Sequence, residues 1–495
     1  MRDAASRGRE RRPRGDDLER KIMGVPARFM RPRIVLVVVT FVLVAFGLLM
    51  IYSASSIKAQ SSQGDAAYYL KRQLLFVLVG LAGAVLLART DYHVWYKKAL
   101  RIIWVVTLAL LALTALMGIG SHGATRWISI GPINLQPSEF AKITIVLTGA
   151  NLCESYFDDG AIDFRQFLIN GAIGVGIPLV LVLAQPDKGS TLIAAATLLV
   201  MLYLSGVSGK TILLILGICL AAFFVYSMKD EYSRKRFLTS LDPWSDPYGD
   251  GYQLIQGFYA FGTGGLFGVG IGMSKQKYSY LPEAHNDFIF AIIGEECGLV
   301  GCLAVIAAFV IFVYAGIQIC KYAPDLAGRL IACGCTSLIA IQFFVNVLGV
   351  IGITPLTGKP LPFLSYGGSS IISCLMLVGL IVSVSRSSVL PETVNERRRR
   401  QMSVAAESAT DVGRVMTRSE AMATPLPQVR DTVGRQGSSR DGLRLVDDAG
   451  PTASRGTGRG RIDLGDRPAD RLRPQGGPRV RGGRDDRRGS GSGRR

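Results

Sequence analysis

The sequence predicts an all-α polytopic membrane protein: about ten transmembrane helices, a large extracytoplasmic loop between the seventh and eighth, and disordered basic cytoplasmic tails. Three observations carry this. The 495 residues are 49% hydrophobic, long stretches lack any charge, and the net charge of +19 collects at the two ends. Residues 1–33 hold eleven Lys or Arg against five acids and residues 386–495 hold 24 against 14, so the tails supply +16 of the +19. Basic residues abutting the first and last apolar segments mark the cytoplasmic side of a membrane, which displaces nucleic-acid binding as their explanation.

Taken in order, residues 1–33 form an Arg-rich cytoplasmic tail containing Pro13, Pro26 and Pro32. Apolar runs then cover 34–52, 74–88, 101–118, 139–153, 166–184, 190–205, 211–228, 288–319, 328–351 and 369–385, each near the ~20 residues a span needs. An even number returns the C-terminus to the starting side. Arg89, Lys97, Lys98 and Arg101, and then Lys321 and Arg329, fall inside on that count. The outer connections are 53–73, 119–138, 229–287 and 352–368, the third by far the longest. Within it, Tyr252, Leu254, Ile255, Phe258, Tyr259 and Phe261 precede a glycine run ending at Gly272, which predicts an amphipathic helix and a Gly-rich turn lying at the membrane surface. Residues 34–388 make up the membrane domain, and 389–495, rich in Gly, Arg, Ser, Asp and Pro, a disordered tail. The eight cysteines sit in or beside apolar runs and show neither a disulfide framework nor zinc spacing. No cleavable signal precedes the first span.

The chemistry gathers where a polar loop, Tyr280-Leu281-Pro282-Glu283-Ala284-His285-Asn286-Asp287, meets an apolar helix. A carboxylate at that mouth costs solvation energy unless it faces protein or trapped water, so Asp287 is a functional candidate. A helix cap would use the same residue. The three histidines, His93, His122 and His285, are scattered, which argues against a protein-built metal site. On a continuous helix Glu295 lies about 12 Å beyond Asp287 at ~1.5 Å per residue, too far for paired acids. Glu295 and Glu296 are therefore expected to find partners within the bundle. One carboxylate suits a reaction whose leaving group is pyrophosphate: it departs as an anion, so one base and a few cations suffice. Outer cations are present in Arg234, Lys235 and Arg236, in Lys275 and Lys277, and in Arg126, Lys142 and Lys188. They run against the topological bias and ask for a local reason, with snorkelling to lipid phosphates as the alternative.

Seven strings in order, between the right spans, carry a resemblance. They are Gly123-Ala124-Thr125-Arg126-Trp127, Gln136-Pro137-Ser138-Glu139-Phe140-Ala141-Lys142, Gln185-Pro186-Asp187-Lys188-Gly189-Ser190, Asp242-Pro243-Trp244, Asp246-Pro247-Tyr248-Gly249-Asp250-Gly251-Tyr252-Gln253, Leu281-Pro282-Glu283-Ala284-His285 and Leu364-Ser365-Tyr366-Gly367-Gly368-Ser369-Ser370. Over residues 34–388 the chain resembles the SEDS family (FtsW, RodA, SpoVE).

The resemblance implies a peptidoglycan glycosyltransferase that polymerises lipid II on the outer face of the bacterial cytoplasmic membrane, working with a class B penicillin-binding protein. It places the catalytic carboxylate at Asp287. It sets Arg126, Glu139, Lys142 and Asp187 around a central cavity and Arg234 and Arg236 on a cationic stretch of the large loop, with Lys188, Lys277 and His285 as further substrate-binding candidates. Lys188 stands where many relatives carry an apolar residue, and Asn286 where the family usually has Thr. Ala284, Asp242-Pro243-Trp244 and the long tail point to the division branch. That branch implies a septal location, other division proteins as partners, and FtsZ at the C-terminal tail. The expected step is an inverting transfer with undecaprenyl pyrophosphate as leaving group and no built-in cofactor; a divalent cation, Mg or Mn, would arrive on the substrate's phosphates. The rivals are an elongation- or sporulation-type polymerase, a lipid II flippase or transporter, and a docking scaffold.

Overall fold

The computed structural model describes residues 21–22, 25–117, 119–121, 124–130 and 133–388. The chain divides into two units, Met1–Ser408 and Ala409–Arg495. The second unit, the expected disorder of residues 1–20 and 389–495, and His122 with Gly123 lie outside the described residues.

A short hairpin, β1 (Lys21–Ile22) and β2 (Val25–Pro26), leads into α1 (Ala27–Gln63). This helix outruns its apolar core in both directions. Residues 27–33, expected in a disordered tail, are helical, and Arg33 Nε donates to Ser385 Oγ at 3.0 Å in the last helix, α13 (Gly368–Arg386). Residues 53–63, expected in an outer connection, are helical too, because Ala, Ser, Lys and Gln there permit a helix that hydropathy does not register. Next come α2 (Tyr68–Arg89), a π turn at Val94–Lys98 and α3 (Leu100–Met117).

The connection after α3 corrects the all-α expectation. It folds as an antiparallel sheet, β3 (Ile119–Ser121), β4 (Ala124–Ile130) and β5 (Ile133–Leu135), with Trp127 opposite Ile119 and Ile128 opposite Leu135. Thr125, Trp127, Ile128 and Ile130 are the β-branched and aromatic types that favour strands. α4 (Pro137–Cys153) begins with proline, whose fixed φ suits a first helical position, and is buried along most of its length although it carries Glu139 and Lys142. α5 (Phe164–Gly171) and α6 (Ile177–Ala184) join through a π turn into one apolar 21-residue rod. α7 (Lys188–Leu204), α8 (Gly209–Lys229), α9 (Glu231–Leu241), α10 (Tyr252–Gly264), α11 (Ile289–Lys321) and α12 (Leu326–Val350) follow. Among the described residues seven segments are long and apolar enough to cross a membrane: α1, α2, the α5–α6 rod, α8, α11, α12 and α13. Shorter apolar helices, α3 and α7, accompany them.

Lipid offers no hydrophobic drive for one helix to leave it for another, so close backbone approach and van der Waals contact hold such bundles. The intimate pair is α2 with α13. Gly80 and Ala84 of α2 face Leu375 and Gly379, and a Cβ on Gly379 would come within 2.5 Å of the Ala84 carbonyl oxygen. α12 fills the centre, packed on α4, α7, α11 and α13.

The long connection 230–288 carries the expected amphipathic helix as α10 and a further helix, α9. α10 packs on α11, and the glycine run after it turns in beside that helix where α11 is interrupted at Gly298 (φ 68°). A helix broken in apolar surroundings must give its freed backbone groups partners. The glycine run supplies them: Val269 N donates to Glu295 O at 2.9 Å, Gly270 N to Glu296 O at 3.0 Å, Leu299 N to Gly265 O at 2.9 Å and Val300 N to Leu266 O at 3.1 Å. Glu295 and Glu296 then seal the join. Glu295 accepts from Ser274 Oγ (2.5 Å) and Lys275 N (2.8 Å), and Glu296 accepts from Ser53 Oγ of α1 at 2.6 Å with Lys277 Nζ 3.8 Å away.

A Cβ on Gly298 would overlap the Leu266 carbonyl oxygen at 2.5 Å, whereas one on Gly272 (φ 85°) meets nothing within 4 Å. Gly272→Ala is therefore expected to lose only the left-handed backbone term, about 1 kcal/mol. Gly298→Ala adds the clash and should lose about 3 kcal/mol in total. Thermal unfolding of the detergent-solubilised chain compares them; equal losses would show that the join does not depend on that close approach.

Candidate active site

Asp287 does not lie on a helix. It ends a tight turn just before α11, where Asn286 N donates to Glu283 O at 2.9 Å and Glu283 is held at φ 52°. Its own carbonyl accepts from Asn346 Nδ2 of α12 at 2.8 Å. Oδ1 of the carboxylate is buried and without a hydrogen-bond partner. Burial pushes the carboxyl up to about 6; Glu283 adds to the rise, while its own backbone amide and the Arg236 guanidinium pull the other way.

The wall beside it is Gly358 (φ 66°), in the connection from α12 to α13. A Cβ there would stand 3.7 Å from Arg236 Nη1 and 3.8 Å from Asp287 Oδ2, so the carboxylate and the guanidinium flank one glycine. Arg236 reaches this point from α9 and donates to Leu356 O at 2.8 Å. His285 packs its ring 4.7 Å from Tyr69 and 5.7 Å from Tyr366, and its carbonyl accepts from Tyr366 N at 2.9 Å. Burial, with Lys58 assisting and Glu283 opposing, lowers the His285 imidazole to about 4, which leaves it neutral at pH 7. The placement pins the Asp287 turn to the Ser365-Tyr366-Gly367 string.

A second cluster joins α4, the start of α7 and the same α12–α13 connection. Lys142 Nζ donates to Glu139 Oε2 at 2.9 Å and to Gln342 Oε1 at 2.7 Å. Lys359 Nζ donates to Asp187 Oδ2 at 2.8 Å and lies 3.9 Å from Glu139 Oε1. Asp187 also accepts from Ser138 Oγ at 2.7 Å and Gln136 Nε2 at 3.1 Å, and caps α7 through Ser190 N at 3.2 Å. Burial alone would raise its carboxyl, but Lys359, Ser138 and Arg126 outweigh it and hold the group below the usual carboxylate range. Arg126, on β4, donates to Pro186 O at 2.5 Å, and its buried Nε has no hydrogen-bond partner. Two acids face two buried lysines, and Arg126 stands over them as a surplus cation.

The remaining candidates go elsewhere. Lys188 turns away, bonding Asp230 Oδ2 (2.8 Å) and Ser233 Oγ (2.5 Å) with its ammonium over the Tyr226 ring, and so anchors the start of α9. Lys277 is buried against Glu296 and the Gly272 carbonyl, in the join beside α11. Arg234 is exposed on α9. Three contributors were not singled out from sequence: Lys359, Asn346 and Gly358. Lys359 had a legible signal, since it is one more lysine in an outer connection. Among the described residues no three His, Cys, Asp or Glu side chains group as a metal site.

Comparison with known proteins fits this arrangement. A family model described as the FtsW/RodA/SpoVE cell cycle protein matches residues 33–389. The probable peptidoglycan glycosyltransferase FtsW of Trichlorobacter lovleyi is 42% identical over 374 residues, covering 74% of this chain and 96% of the relative. Stage V sporulation protein E of Bacillus subtilis is 38% identical over 359 residues, covering 72% and 98%. Among solved structures, a chain of a peptidoglycan synthase complex that coordinates polymerization and crosslinking superposes with a TM-score of 0.58 at 28% identity, covering 71% of this chain and 96% of that one. The rod shape determining protein RodA of Thermus thermophilus superposes with a TM-score of 0.53 at 26% identity, covering 72% and 97%. The family match takes in both charged clusters and the helices that hold them, and the chain belongs to the FtsW/RodA/SpoVE family.

Proposed function

We propose that this multi-pass membrane protein is a peptidoglycan glycosyltransferase of the cell-division type, with Asp287 as its general base. The supporting observation is a buried carboxylate with a bare Oδ1, raised to about 6 and set across one glycine from Arg236. A base of that strength is ionised at pH 7 yet basic enough to take a proton from a hydroxyl as it attacks.

In the proposed step Asp287 accepts the proton of the 4-hydroxyl of an incoming lipid II. That oxygen forms a bond to the anomeric carbon of the growing chain's lipid-linked end, and the bond from that carbon to the pyrophosphate oxygen breaks with inversion. The pyrophosphate leaves with its electron pair as an anion, needing cations and no acid. Arg236 and Arg126 are the side chains assigned to it, and a divalent cation, Mg or Mn, travels on the substrate's phosphates. Lys142 and Asp187 form the charged floor. Counted with the shorter α3, α4 and α7, the seven long segments make ten spans, and with both termini in the cytoplasm, as the basic tails favour, Asp287 faces outward. The proposed partner is a class B penicillin-binding protein at the septum, with FtsZ and other division proteins reached through the C-terminal tail.

A transporter of lipid-linked sugar has one observation in its favour, the broken α11, since interrupted helices mark many transport pathways. The freed backbone groups are bonded to the glycine run, however, and do not line a path.

Asp287→Asn is expected to lower glycan polymerisation from lipid II by about 10²–10⁴-fold in the purified chain, the usual range for loss of a general base, with its membrane partner still bound. A rate within threefold of the parent would remove the base from the mechanism. The pH profile is a second check. The active form is the ionised carboxylate, so the rate should hold above pH 7 and fall as pH drops through about 6, with a one-proton slope.

A further inference from the structure

The α12–α13 connection, residues 351–367, is held to its surroundings at points on both sides of the proposed base. Asn346 is the central one. Its single Nδ2 donates at 2.8 Å to the Asp287 carbonyl and at 2.8 Å to the Lys359 carbonyl, so one amide nitrogen sets the main chain of the base and of the strap side by side. Lys359 then carries the strap to a different helix through Nζ and Asp187 Oδ2. Immediately before this doubly held residue comes Gly358, the glycine flanked by Asp287 and Arg236.

The lysine's path is tight. Its stem crosses the first turn of α7, where a Cβ on Gly189 would meet Lys359 Cγ at 2.9 Å and Cε at 3.2 Å, and Thr357 Cβ at 3.3 Å. Gly189 thus leaves room for the strap at a helical position where alanine would be the better helix former.

We propose that Asn346 and Lys359 are positioning residues for the transfer, with Gly189 as the clearance that lets Lys359 lie flat. Through them the strap presents Gly358 to Asp287 at one distance and ties the base to the buried charges of α4 and α7. Neither side chain touches the base's carboxylate. Their effect is on where that carboxylate stands, and a displacement of an ångström at a reacting group is felt in turnover. This rests on the assignment of Asp287 as base.

The test is steady-state polymerisation of lipid II by the full-length chain together with a class B penicillin-binding protein, the partner proposed above. Lys359→Met, Asn346→Leu, Gly189→Ala and Asp287→Asn are compared with the parent for kcat, KM and thermal midpoint. Lys359→Met and Asn346→Leu should lower kcat tenfold or more with KM for lipid II within threefold. Gly189→Ala is the sharper probe, because a residue of purely structural importance would not respond to it in this way. It should lower kcat tenfold or more while the chain still folds with a cooperative thermal transition, the better helix former offsetting part of the crowding, and it remains informative if Asn346→Leu fails to fold. A Gly189→Ala chain with kcat within twofold of the parent overturns the proposal. So does a Lys359→Met chain whose KM rises while kcat holds, which would make Lys359 a substrate contact. An inactive Asp287→Asn beside fully active strap variants would refute the strap alone, whereas an active Asp287→Asn would refute the base.

Discussion

An ionisable group inside a bundle of apolar helices keeps its charge only where other groups are fixed around it, and the charged clusters of this protein are arranged by that constraint. Asp187, Lys359, Glu139 and Lys142 satisfy it by pairing with one another, Glu139 Oε1 through a 3.9 Å ion contact with Lys359 and no hydrogen bond. Asp287 satisfies it in part. Its backbone is held by Asn346, while Oδ1 is left with no partner. A reactive base needs that difference: full pairing would stabilise the carboxylate and weaken it, whereas full isolation would keep it protonated at neutral pH.

The same logic explains the broken helix. Continuing α11 without interruption would leave nothing for the glycine run to bond, and the turn carrying Asp287 enters this helix about three turns before the kink at Gly298. By exchanging four backbone hydrogen bonds with residues 265–270, α11 holds the long connection in place from below. Glu295 and Glu296 consume their charge in that join with Ser53, Ser274 and Lys277, so neither carboxylate competes with Asp287 for substrate. Two acids eight and nine residues along the chain from the base serve the fold, and the base alone is left for chemistry.

Much of this was legible in the residues. A hydropathic run reports a helix wherever apolar side chains face lipid or each other, and nearly every run found its helix. The ends were not legible, because residues 27–33 and 53–63 of α1 carry charged and polar side chains that hydropathy does not register, although most of them permit a helix. The sheet at 119–135 was missed for a related reason: hydropathy counts apolarity, while the strand preference of Thr125, Trp127 and Ile128 lies in side-chain shape. Asp287 stood out because a carboxylate at a membrane helix mouth is costly. Asn346 did not, since one amide within an apolar run carries no net charge and reads as tolerated.

By itself, then, the chain's order of residues determined its class and singled out the candidate base, because each follows from the solvation of side chains taken one at a time. Which cations stand near that base was decided only in three dimensions. Lys188, Lys277 and Lys359 are alike in charge and in lying at or beyond helix ends, yet the first anchors α9, the second closes the α11 join, and the third reaches the buried acid pair. A lysine ammonium on a flexible four-carbon stem goes to whichever acceptors the packed helices bring within its reach, and those carboxylates lie 42 residues away in the chain for Lys188, 19 for Lys277 and 172 for Lys359.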